Sequence, residues 1–91
     1  MNPIIYFFND INEIYNNISI YRGILIVKNN KEARYIIKLL KNHDYDPILI
    51  KNHNIDKNYR LFVITLNNIN FLNYIDKNDY NFIAYNYYTI K

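Results

Sequence analysis

The segment Ile24-Leu25-Ile26-Val27 constrains this chain more than any other, because every position is apolar and three of the four are β-branched. A strand with one wet face alternates apolar and polar residues, so a run without alternation has to be covered on both faces. Arg22-Gly23 breaks the chain before it, and Asn29-Asn30 after it supplies an N-cap for a helix over Lys31 to about Asn42. In that helix Ala33, Ile36, Ile37 and Leu40 recur at i, i+3, i+4 and i+7, the spacing of one core-facing stripe. A buried strand followed by an amphipathic helix is the repeating unit of a parallel sheet.

The rest of the chain fits that unit. Pro3 to Phe8 reads as a strand in preference to the start of one long helix, which the spacing Ile4, Phe8, Ile11, Tyr15, Ile18 also allows. Asp10 and Glu13 resemble a capping box for a helix from Ile11 to about Ile18. Asp44-Tyr45-Asp46-Pro47 is a turn into a short strand, Pro47 to Ile50, and Lys51 to Asn58 is a loop. Tyr59 to Thr65 is a second buried strand. Asn67-Asn68 caps a short helix from about Ile69 to Ile75 that buries Phe71, Leu72 and Ile75. Asn81 to Tyr85 is a further strand, and Tyr87 to Ile90 adds an edge. The order predicts a single three-layer α/β domain spanning residues 1–91, with a mostly parallel sheet and helices on both faces.

Composition removes several classes of activity. The chain has no cysteine, so it has no disulfide framework, thiolate metal site or cysteine nucleophile. Its single glycine, Gly23, leaves no GxGxxG, phosphate loop or nucleophile elbow. Ser19 is the one serine and has no glycine turn beside it, which dismisses a Ser/His/Asp triad. His43, Asp44, Asp46 and His53 match no zinc spacing, so neither metal nor cofactor is expected. Asp76 and Asp79 read as loop polarity. The longest apolar runs fall far short of the ~20 residues of a membrane span. No basic residue precedes the first of them, and an intracellular protein is expected. The 18 Ile, 18 Asn and 11 Tyr match AT-rich codons, pointing to an AT-rich genome such as a virus's.

Charge is the one positive signal. The net charge is +3, but residues 22–60 carry +5 and the flanks −2. Lys31, Arg34, Lys38 and Lys41 fall at i, i+3, i+7 and i+10, opposite the apolar stripe of the same helix, and Lys28 precedes them. Such a row can track a phosphate backbone or simply solvate a helix. The Tyr85, Tyr87, Tyr88 cluster is the aromatic set expected at the surface, where it packs against another chain or stacks on bases.

The segments Gly23 to Ala33, Arg60 to Thr65 and Asn81 to Asn86 resemble, in order, a strand–turn–helix, a Thr-ended strand and the strand after it in the second RecA-like lobe of superfamily-2 helicases, the DEAD-box type in particular. The resemblance implies a RecA- or Rossmann-like fold and a backbone contact from Thr65 to nucleic acid. The chain departs from the family where nucleotide chemistry sits. Leu66-Asn67-Asn68 stands where an Asp and an Arg-Gly-Asp-like stretch belong, and Tyr87 to Lys91 replaces the arginine motif that reaches ATP. A degenerate, minimised lobe is what it supports.

The functional expectation is therefore a non-enzymatic binding protein. Nucleic acid is its first partner, held weakly and without sequence preference by Lys28, Lys31, Arg34, Lys38, Lys41 and Thr65. The alternative is a viral adaptor or decoy that docks to a host protein or self-associates as a homodimer, with no membrane partner in either case. Incubated with ATP and a divalent metal, the pure protein is expected to release no phosphate. Metal-dependent turnover would overturn the non-enzymatic reading.

Overall fold

A computed structural model describes residues 4–8, 22–55, 61–76, 79–80 and 82–86, and the side chains of all of these except 4–8 and 82–86. Five strands, β1 (Ile4–Phe8), β2 (Gly23–Val27), β3 (Ile48–Leu49), β4 (Leu61–Thr65) and β5 (Phe82–Asn86), form one sheet in the order β1-β5-β2-β4-β3. Every neighbouring pair is parallel. The α-helix α1 (Asn30–Asn42) joins β2 to β3, and a 3₁₀-helix (Leu66–Tyr74) follows β4. The domain is thus mixed α/β around a parallel sheet.

Strand parity decides which side chain meets which cover, because successive residues of a strand point to opposite faces. Leu25, Val27, Leu61 and Val63 pack with Ala33, Ile36 and Leu40 of α1. Ile24, Ile26, Phe62 and Ile64 pack with Leu72, Ile75 and Tyr80 on the other face. In the register Ile24 faces Phe62 and Val27 faces Thr65, so odd residues of both strands share one face and even residues the other. All ten residues of β2 and β4 are buried. The absence of alternation in the sequence has this cause.

The 3₁₀-helix replaces the expected α-helix over 69–75. Its three-residue turn puts i and i+3 in line, and Leu66, Ile69, Leu72 and Ile75 all pack on the even-numbered face. Asn67 and Asn68 do not cap it; Thr65 takes that position without a side-chain bond. Phe71 is half-buried rather than buried. At the N-terminal end of the sheet, Tyr80 meets Phe62 edge-on at 5.7 Å between centroids, with the Arg22 guanidinium 5.0 Å from its ring. Burial raises the Tyr80 phenol above its ordinary range, partly offset by the charge of Arg22.

One expectation about the edges is corrected. Tyr85, grouped with Tyr87 and Tyr88 as a set that packs against another chain, belongs to β5, which is interior and pairs with β1 on one side and β2 on the other. Among the described strands the edges are β1 and β3, because the first strand takes the outer place beside β5. The short strand is Ile48–Leu49, extended by the Ile50 N–H donating to the Val63 carbonyl at 2.8 Å. The helix expected over Ile11 to Ile18 and the segment Tyr87 to Ile90 lie outside the described residues. Among the described residues no helix is long and apolar enough to cross a membrane.

Two-sided burial makes a direct prediction. Leu25→Ala and Ile26→Ala each remove a fully buried side chain, but on opposite faces. Each is expected to cost about 2–5 kcal/mol in urea unfolding. A sheet wet on one face would show that loss at only one of the two positions.

Candidate functional site

The two ends of α1 fix where its side chains go. At the start, the Glu32 N–H donates to Asn29 Oδ1 at 2.9 Å, and the Lys28 N–H reaches Glu32 Oε1 at 3.5 Å. Asn29 is the N-cap, and Glu32 places its negative charge in the first turn, where the helix dipole favours it. At the far end the Tyr45 N–H donates to the Leu40 carbonyl and the Asp44 N–H to that of Lys41, a Schellman closure. Asp44 occupies the left-handed position, with φ of 66°, that glycine usually fills.

Between these caps the helix divides sharply. Ala33, Ile36 and Leu40 are buried, while Lys31, Arg34, Lys38 and Lys41 are exposed, as is Lys28 before them. From Lys31 to Lys41 the row runs about 15 Å at 1.5 Å per residue. Among the described residues none of these five side chains forms an ion pair. The structure therefore leaves all five expected cations exposed, four of them along one side of α1. Thr65, the sixth expected contact, is buried at the end of β4 with 2 % exposure. It offers almost no surface to a polymer.

The row begins at the carboxyl ends of β2 and β4, where the two connections diverge. The chain leaves β2 toward the face covered by α1, and leaves the adjacent β4 toward the opposite face. In open parallel sheets such a divergence at the carboxyl ends of neighbouring strands leaves a cleft. Val27 and Thr65 are register partners there, so the segments that follow β2 and β4 start side by side. Lys28, Asn29, Asn30 and Asn67 are exposed polar groups there.

Elsewhere the surface offers less. A depression of about 180 Å³ beside β3 is lined mainly by Ile48, Leu49, Ile50, Ile55 and Phe62. It falls below the ~300 Å³ at which small-molecule sites begin. His53 packs on Tyr74 at 5.5 Å between ring centroids, and His43 is the C-cap of α1. Among the described residues no three His, Asp or Glu side chains converge as metal ligands. The exposed large aromatics with described side chains are Tyr35 and Tyr74, at 55 % and 60 %. Sequence reasoning missed both, although the helical spacing that buries Ile36 and Leu40 already turns Tyr35 outward. Comparison with family models, curated proteins and solved structures finds no match for this chain.

Since its caps hold the row in place, α1 should respond to them in opposite senses. Asn29→Ala is expected to destabilise the protein by about 1 kcal/mol, through loss of the cap bond. Asp44→Gly is expected to stabilise it by about 0.5–1 kcal/mol by relieving the left-handed backbone. Thermal unfolding of the two variants beside the parent checks both signs.

Proposed function

We propose that this protein is a non-enzymatic, intracellular nucleic-acid-binding domain whose basic row on α1 lies along the phosphate backbone. In this reading the fold is a minimised, three-layer relative of the second RecA-like helicase lobe, retaining a polymer-binding role without nucleotide chemistry. The observation that carries it is the open row Lys31, Arg34, Lys38 and Lys41 on a helix whose opposite side is core, with exposed Lys28 just before its N-cap.

Energetics favour a polyanion over bare solvation. Lys31–Arg34, Arg34–Lys38 and Lys38–Lys41 are like-charge neighbours on the helix surface. At about 0.2–0.5 kcal/mol each, their repulsion costs α1 roughly 1 kcal/mol. Neighbours three or four residues apart lie about 5–6 Å from one another, inside the ~8 Å Debye length of physiological salt. Their potentials therefore add. A phosphate chain converts that repulsion into attraction and releases its own counterions as it binds.

Four to five contacts make binding weak and salt-sensitive. For a single strand the logarithm of affinity should fall against that of salt with a slope of about −3. Changing Lys31, Arg34 and Lys38 together to Glu is expected to abolish binding and leave the unfolding transition in place, because all three are exposed. Fluorescence anisotropy of a labelled oligonucleotide across a salt series reads both. Binding that survives the triple change, or that ignores salt, would contradict the proposal.

A further inference from the structure

Tyr35 stands apart from the other described aromatics. Tyr74 packs on His53, and Tyr80 is held between Phe62 and Arg22. Tyr45 is partly buried against the α1 core cluster, and Phe71 against the opposite one. Tyr35 is 55 % exposed and, among the described residues, engages no ring or cation. Yet it lies alongside the basic row, four residues after Lys31 and three before Lys38.

Helix geometry gives that position a meaning. At about 100° per residue, Arg34 and Lys41 lie about 20° apart on the helix surface, with Lys38 about 40° from Arg34. Tyr35 lies about 100° round from Arg34, beside Lys31. The exposed side of α1 thus has a cationic flank and, parallel to it, a flank with an open aromatic ring. A single nucleic-acid strand has the matching division, with phosphates along one side and unstacked bases along the other. A duplex does not, because its bases are paired and stacked inside.

We infer that Tyr35 is a base-stacking residue and that α1 selects single-stranded over double-stranded nucleic acid. The inference rests on the proposed phosphate contact along α1 and assigns its strand class. Charge complementarity supplies the partner: an exposed aromatic bordered by Lys31 and Lys38 invites a ligand that is both anionic and flat-faced. Base–aromatic stacking is tolerant of sequence, because every base has a π-face. The predicted ligand is accordingly any single strand, RNA or DNA.

The test compares the parent, Tyr35→Ala, Tyr35→Phe and Tyr35→Trp by anisotropy with labelled oligo(dT), oligo(rU) and a DNA duplex of equal length. Tyr35→Ala is expected to weaken binding to both single strands about five- to hundredfold, leaving duplex binding within twofold. Phe and Trp should restore single-strand affinity, which loss of a merely structural side chain would not predict. Unchanged single-strand binding by Tyr35→Ala, in a protein whose binding still disappears on the Lys31, Arg34, Lys38 charge reversal, overturns the stacking role and leaves the phosphate contact standing. A parent that binds none of the three probes overturns both. Equal losses on single strands and duplex would also contradict it, by showing that Tyr35 supports the helix rather than a base.

Discussion

The pairing of β2 with β4, apolar on both faces, is the constraint from which the rest follows. A sheet centre without a wet side has to find two covers, and this chain supplies α1 for the odd-numbered residues and the 3₁₀-helix for the even ones. Covers on opposite faces require connections that leave the carboxyl ends of adjacent strands in opposite directions. The divergence of the chain beyond Val27 and Thr65 is therefore a by-product of burial, and the basic row starts beside it. Small domains have thin cores and a net stability of only about 5–15 kcal/mol. Loss of either cover would consume much of that margin.

Function on this reading needs no pocket. The helix that closes one face of the core shows its other side to solvent, so in the proposed role a single element would carry both stability and recognition. Ala33, Ile36 and Leu40 hold α1 down, and the closure at Leu40 to Tyr45 ends it with a half-buried ring against the same cluster. The exposed side is thereby fixed in rotation. A cationic flank and Tyr35 keep a constant angle to each other, which a flexible basic tail could not provide. Preorganisation of this kind reduces the ordering cost of binding.

How much of this was legible in the sequence follows from the kind of signal each element carries. Ile24 to Val27 and Leu61 to Ile64 declare two-sided burial outright, and the 3.6-residue spacing of Ala33, Ile36, Ile37 and Leu40 fixes α1 and its exposed cations. The place of β5 was not legible, because short apolar strands look alike whether they lie inside or at an edge. Strand order is set by which crossovers pack, and local composition does not encode it. The 3₁₀-helix did leave a trace: Leu66, Ile69, Leu72 and Ile75 repeat every three residues, and its Asn content disfavours an α-helix. Thr65 was expected at the surface from the helicase resemblance, but strand-end residues between two covers are buried along with the rest of their strand.

The central claim is that one face of α1 meets nucleic acid, and a residue-resolved binding map tests it most directly. In a titration of ¹⁵N-labelled protein with a short oligo(dT), the shifting amides should cluster at Lys28, Lys31, Arg34, Tyr35, Lys38 and Lys41. The amides of His53, Ile55 and Tyr74, on the side of the sheet away from α1, should stay put. Shifts centred on that second region, or none at a saturating concentration of oligonucleotide, would contradict the account.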